Sequence, residues 1–76
     1  NITQIDPKTK LQEYSLKKYK KLPNYSITKK TGSSHNPIFK AFVNITDSKK
    51  YTGTGKSKKI AQQNAAVELI KDLNLK

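Results

Sequence analysis

A glycine turn that leads directly into an alanine-rich segment, residues 53–66, constrains the fold more than any other stretch. Gly53 and Gly55 allow the backbone to turn sharply and to approach another group closely. Ser57 is a favourable N-cap, because its hydroxyl can accept a hydrogen bond from an amide in the first helical turn. Alanines at positions 61, 65 and 66 would let the helix lie close to a sheet or to a second helix. The stretch therefore predicts a strand end, a tight turn and a closely packed helix.

Three lysines at the start of this helix, Lys56, Lys58 and Lys59, favour a bound anion. The helix dipole already makes the N-terminus positive, so cations there are slightly destabilising in the free protein. A phosphate would pair with the lysines, the unpaired amides and the dipole together. A solvated lysine cluster in a lysine-rich chain is the alternative interpretation.

The charge balance indicates a polyanionic partner. Sixteen lysines against five acidic residues give a net charge of +11 on 76 residues, and the chain contains no arginine. Nucleic acid is the first candidate partner and an anionic membrane the second. Since arginine is the residue that reads guanine bidentately, its absence disfavours a sequence reader of the DNA major groove. A compositional bias of the source genome is the alternative explanation.

Length and composition predict one small soluble domain. Hydrophobic residues make up 33% of the chain, enough for one thin core. The lack of cysteine excludes disulfides and cysteine metal sites, and it fits a reducing compartment. No apolar run approaches the roughly 18 residues of a membrane helix, and no signal-peptide pattern opens the sequence.

A first helix is predicted to begin at Asp6, the N-cap, and to end before Pro23. The spacing of Leu11, Tyr14 and Leu22 places these residues toward the core. Residues 1–5 show no periodicity and are interpreted as a tail or a linker.

Three strands are predicted between the helices, because apolar and polar residues alternate over residues 24–30 and 38–45 and a short strand fits residues 49–54. A loop at 31–37 and a turn at 46–48 connect them. The last helix continues to about residue 73. Short connections predict an antiparallel meander with both helices on one face, a two-layer α+β domain of order α-β-β-β-α.

These stretches resemble the double-stranded RNA-binding domain (dsRBD) family. The match runs from Asp6 to about Leu73, and the domain would cover residues 6–76. The most specific match is the glycine turn, lysine pair and alanine helix of residues 53–66. The second is His35 in a loop before Phe39 in a strand. The third is the helix opening at residues 6–13, which is similar to the C-terminal domain of bacterial ribonuclease III in particular. The resemblance implies a two-layer sandwich with a three-stranded antiparallel sheet and two helices on one face.

The resemblance also implies shape recognition of double-stranded RNA, with little sequence specificity, through three regions. The first helix and the loop after the first strand would each meet a minor groove, and the second helix would begin over the phosphates between them. Carried over by position, the RNA-binding residues are Thr9, Gln12, Glu13, Ser33, Ser34, His35, Lys56, Lys58, Lys59 and Gln62. Glu13 could accept hydrogen bonds from 2′-hydroxyl groups. A surface ion pair of Glu13 with Lys17 and a merely solvated His35 are the alternatives.

Two positions depart from the family pattern. Gln62 stands where many members carry a lysine, so one phosphate contact is expected to be weaker. Ser33 and Ser34 stand before His35 where many relatives have a proline, so the loop is expected to be freer to move before binding.

No catalytic constellation is found within the chain, and we expect no metal or cofactor in it. Glu68 and Asp72 share a helix face but are a poor basis for a magnesium site. The resemblance to ribonuclease III implies a cytoplasmic, homodimeric, Mg²⁺-dependent endonuclease as the parent, active in rRNA and mRNA processing. Its nuclease domain would precede residue 1, and the isolated domain is expected to be a monomer.

Two alternatives remain for the function. The chain could be the dsRBD of another RNA-binding protein, or a protein-interaction module that uses Ile60 and Val67. A membrane role is disfavoured, because the second helix is too rich in alanine for a membrane-surface helix.

Overall fold

The structure, a computed structural model, describes residues 6–74, except the side chain of Lys29. The element order is α1 (Pro7–Tyr19), β1 (Asn24–Gly32), β2 (Pro37–Asn44), β3 (Tyr51–Gly55) and α2 (Lys58–Leu73). This confirms the predicted order α-β-β-β-α. The tail predicted at residues 1–5 lies outside the described residues.

The strands form one antiparallel sheet in the order β1-β2-β3, as predicted. The hairpin between β1 and β2 is longer than expected, since pairing continues to Gly32 opposite Pro37. The loop therefore spans only residues 33–36. Gly32 has a φ of +85°, and a side chain there would also collide with the Asn36 carbonyl. Glycine is thus what lets the hairpin close so tightly.

Helix α1 begins as predicted but ends earlier. The Asp6 carboxylate accepts a hydrogen bond from the Thr9 amide at 2.8 Å, which caps the first turn. The helix ends at Tyr19, because Lys20 adopts a left-handed conformation with φ of 62°. The buried Ser15 hydroxyl then holds the returning chain by donating to the Lys21 carbonyl at 2.6 Å.

The placement of Leu22 in the core was wrong. This side chain is 62% exposed, because the chain has already left the helical path at Lys20. Leu11 is fully buried and Tyr14 packs against the core, as predicted.

The core lies between the sheet and the two helices, which confirms the two-layer α+β architecture. Helix α2 lies across the sheet and α1 packs beside it. The buried cluster consists of Leu11, Val43, Ile45, Ala65, Ala66 and Leu69. A side chain at Gly53 would overlap the backbone of Ala65. The glycine of β3 and the alanine of α2 therefore allow the close approach that the sequence predicted.

Candidate nucleic-acid interface

The start of α2 is built to leave amide groups free. The Ser57 hydroxyl accepts from the Ile60 amide at 3.1 Å, and the Ser57 carbonyl accepts from the Ala61 amide at 3.0 Å. Within residues 6–74, the amides of Lys58 and Lys59 have no partner, as expected for the first residues of a helix. The first turn contains no acidic residue. These two amides and the dipole therefore point at solvent from a positively charged helix end.

The lysine side chains at this end are all exposed. Lys56 precedes the N-cap, and Lys58 and Lys59 are the first two residues of α2. No carboxylate pairs with them in the part of the chain that the structure describes. They can therefore bind an incoming phosphate without first breaking an ion pair.

The predicted face of α1 is also exposed. Thr9, Gln12 and Glu13 lie on the solvent side of the helix. The alternative role for Glu13, an ion pair with Lys17, is not realised among the described residues. Its carboxylate is therefore free to accept hydrogen bonds from a ligand.

Side chains of α2 fasten α1 beside it. Gln63 Oε1 accepts from the Lys8 amide at 3.0 Å, and Gln62 Oε1 accepts from the Lys8 ammonium at 2.8 Å. The Thr9 amide is the main reason that the pKa of Asp6 lies below its usual value, and the charge of Lys59 acts in the same direction. The beginnings of the two helices are thus one continuous polar surface.

Lys8 was not among the binding residues predicted from the sequence. Its ammonium lies 5.0 Å from the ring centre of Tyr25 as well as beside Gln62. In the sequence, Lys8 is marked only by its position next to Thr9. Its contact with Gln62 could not be predicted, because the two residues are 54 positions apart along the chain. The nitrogen of the Gln62 amide remains available as a donor.

The loop of residues 33–36 lies at the same end of the sheet as the start of α2. The register shows this, because Phe39 at the loop end of β2 pairs with Gly55, the last residue of β3. Ser33 holds the turn, since its hydroxyl accepts from the Asn36 amide at 3.0 Å. Ser34 and His35 are exposed. The α2 start therefore lies at the same end of the sheet as the loop, and α1 packs beside it.

The remaining acidic residues of α2 are engaged away from this surface. Glu68 pairs with Lys71 at 3.4 Å, and Asp72 accepts a hydrogen bond from the Tyr51 hydroxyl. That hydrogen bond raises the pKa of Tyr51. Within residues 6–74, no group of three or more metal-ligating side chains comes together.

The chain matches the family model described as double-stranded RNA binding motif over residues 7–73. It is 53% identical over 72 residues to Ribonuclease 3 of Pelagibacter ubique, across 95% of this chain and 32% of that protein. It is 48% identical over 64 residues to Ribonuclease 3 of Leptospira interrogans, across 84% of this chain and 26% of that protein. The chain thus spans about a third or less of the length of these relatives.

Solved structures show the same fold. The first dsRBD of HYL1 superposes with a TM-score of 0.68 and 37% identity, covering 88% of this chain and 94% of that one. The second dsRBD of DRB4 superposes with a TM-score of 0.66 and 30% identity, covering 95% of this chain and 100% of that one. Among the described residues, neither helix has the length and apolar character needed to cross a membrane.

Proposed function

The chain belongs to the double-stranded RNA-binding motif family, and we propose that it binds double-stranded RNA by shape, with little sequence preference. The observation that carries the proposal is the start of α2. Exposed lysines, two free amides and the absence of an acidic residue in the first turn make it a phosphate site. The start of α1 contacts α2, and the loop of residues 33–36 lies at the same end of the sheet. This arrangement suits two minor grooves flanking one major groove.

Each region has a role that follows from its chemistry. Thr9 and Gln12 would exchange hydrogen bonds with 2′-hydroxyl groups and base edges, and Glu13 would accept them. His35 and the backbone at Ser33 and Ser34 would enter the second minor groove. The phosphate ligands would be Lys56, Lys58, Lys59 and Gln62.

We add Lys8 to this set. Its ammonium is held 2.8 Å from Gln62 Oε1, so α1 supplies a positive charge at the place where Gln62 lacks one. The expected weakness of the contact at Gln62 would then be offset by Lys8.

A salt titration with RNA and DNA duplexes of the same sequence, about 20 base pairs long, tests the proposal. If three to five phosphates are neutralised, log affinity should fall with log salt at a slope of roughly −2 to −4. Preference for RNA over DNA is expected, since only RNA offers 2′-hydroxyl groups. Equal affinity for the two duplexes would mean that the net charge acts without the contacts of α1 and the loop.

The sequence identity of this chain to the Ribonuclease 3 proteins of two bacteria supports a role for it as the substrate-binding part of a ribonuclease III. The parent would be a homodimeric endonuclease of the cytoplasm that processes rRNA and mRNA. Cleavage and Mg²⁺ would belong to a separate domain, whereas this chain would act as a monomeric binding unit without a cofactor. The test is cleavage of duplex RNA with Mg²⁺ by the full-length protein and by this chain alone. Cleavage by the full-length protein only is expected, and a full-length protein that leaves the duplex intact would contradict the assignment.

A further inference from the structure

The face of the sheet that carries no helix has an aromatic ring at its centre. Ala41 and Val43 are fully buried beneath the helices. Phe42 lies between them in β2, so its side chain points to the opposite face, where it is only half-buried. The register places Ser26 of β1 and Thr52 of β3 on either side of Phe42. The ring thus stands between two small hydroxyl-bearing side chains, which leave room beside it.

Two lysines approach this ring. The ammonium of Lys40 is 5.8 Å from the ring centre of Phe42, and that of Lys50 is 5.9 Å away. Both lysines are exposed. The three strands contain no Asp or Glu, so the strands offer these ammonium groups no carboxylate. We call this surface the Phe42 patch; it consists of Ser26, Lys40, Phe42, Lys50 and Thr52.

We propose that the Phe42 patch is a second RNA-binding surface, one that takes single-stranded RNA. Antiparallel sheets with exposed aromatic residues bind unpaired bases by stacking, while nearby cations hold the backbone. Stacking of a base on an aromatic ring is stronger than an exposed cation–π contact. An arriving base would therefore displace the ammonium groups of Lys40 and Lys50 from the ring. Those groups would then be free to pair with the phosphates on either side of the stacked base.

A single strand fits this surface better than the other polyanions. The bases of a duplex are stacked on each other and show no free face except at the ends. An acidic peptide would neutralise Lys40 and Lys50 but would leave the Phe42 ring without a planar partner. The helices that face the duplex lie on the other side of the sheet. The surface therefore extends the proposed function, and an RNA with a duplex and an unpaired extension offers a ligand for both.

The test is binding of a fluorescent single-stranded RNA of about eight nucleotides, without self-complementarity, to the 76-residue chain. Phe42→Leu removes the ring and keeps apolar cover over the sheet, whereas Phe42→Tyr keeps the ring. We expect Phe42→Leu to weaken the binding of single-stranded RNA about tenfold. Phe42→Tyr should bind it as tightly as the unsubstituted chain does. Thermal unfolding and affinity for duplex RNA, both expected to be unchanged, show that the variants are folded.

A matched pair of double variants separates the patch from net charge. Lys40→Gln with Lys50→Gln removes two charges from the patch, and Lys17→Gln with Lys21→Gln removes two exposed charges elsewhere. The double variant Lys40→Gln with Lys50→Gln should weaken the binding of single-stranded RNA more than the double variant Lys17→Gln with Lys21→Gln does. An NMR titration of the unsubstituted 76-residue chain tests the patch without any mutation. The backbone amide signals of Lys40, Phe42 and Thr52 should shift when the oligonucleotide is added.

Several results would overturn the proposal. One is a Phe42→Leu variant that binds single-stranded RNA as tightly as the unsubstituted chain, and another is an equal loss of affinity for it in the two double variants. NMR shifts confined to α2 would also contradict the proposal. If an oligoglutamate peptide displaces the single-stranded RNA from the unsubstituted chain but binds poorly to Phe42→Leu, that result would assign the patch to acidic proteins instead. Because the oligonucleotide cannot form a duplex, its readout is independent of whether duplex binding succeeds or fails.

Discussion

Replacement of Lys58 by Gln should weaken RNA binding and at the same time stabilise the free domain. Lys58 is the first residue of α2, is exposed, and has no carboxylate partner among the described residues. Its charge faces the positive end of the helix dipole, an unfavourable interaction of about 0.5 kcal/mol at low salt. Gln matches Lys closely in helix propensity, so the substitution changes mainly the charge.

The two effects can be measured separately. Removing the dipole repulsion should raise the melting temperature by about 2–4 °C for a domain of this size. Removing one phosphate contact should flatten the salt dependence of log affinity for duplex RNA by about one unit, alike for all duplex sequences. Thermal unfolding at low salt and a salt titration of binding give the two values.

Lys17→Gln is the matched control. Lys17 lies in the last turn of α1, where the dipole favours a cation. The same substitution there should lower the melting temperature slightly and leave the salt slope nearly unchanged. If Lys58→Gln lowers the melting temperature, or leaves the salt slope at the value of the unsubstituted chain, the interpretation of the α2 start as a phosphate-binding site is wrong.

Three further predictions concern packing, acid stability and RNA preference. Gly53→Ala should destabilise the domain by about 1–3 kcal/mol in a denaturant titration, since the added methyl group would overlap the backbone of Ala65; the exposed neighbour Thr52→Ala should change stability far less. The hydrogen bond from the Thr9 amide holds the pKa of Asp6 below its ordinary value in the folded protein. Ionised Asp6 therefore contributes stability that is present above the ordinary pKa of an aspartate and is lost as the pH falls through the lower folded value. Asp6→Asn should therefore be less stable than the unsubstituted chain at pH 6, and the difference between their melting temperatures should become smaller as the pH is lowered. A difference that does not depend on pH would count against an ionised cap. Glu13→Lys should raise affinity for duplex DNA and narrow the preference for RNA, as measured by paired titrations, whereas an unchanged RNA to DNA ratio would remove Glu13 from the interface.

Local signals were sufficient to predict the element order. Asp6 with Pro7 and Ser57 mark the two helix starts, because a capping side chain acts within its own first turn. The alternation over residues 38–45 puts Ala41 and Val43 on one face of β2, and both are buried, because side chains of a strand point alternately to its two faces. The position of the lysines before and within the first turn of α2 likewise follows from the sequence alone.

The sequence-based predictions fail at two element ends, where a contact outside the repeating apolar pattern decides the path of the chain. Periodicity extended α1 to Pro23, but the helix ends at Tyr19 and the buried Ser15 holds the Lys21 carbonyl. The loop was drawn from composition as 31–37, whereas strand pairing continues to Gly32. Both outcomes depend on single contacts at the end of an element, which the periodicity of the apolar residues does not reveal.

The sequence by itself determined the helix caps, the strand faces, the net charge of +11 and the lysines that crowd the α2 start. The tertiary structure alone decided that Lys8 lies beside Gln62. The reason is physical. Caps and alternation are set by interactions within a few residues, whereas this contact forms only when the core brings together two helices whose contacting residues are 54 positions apart along the chain.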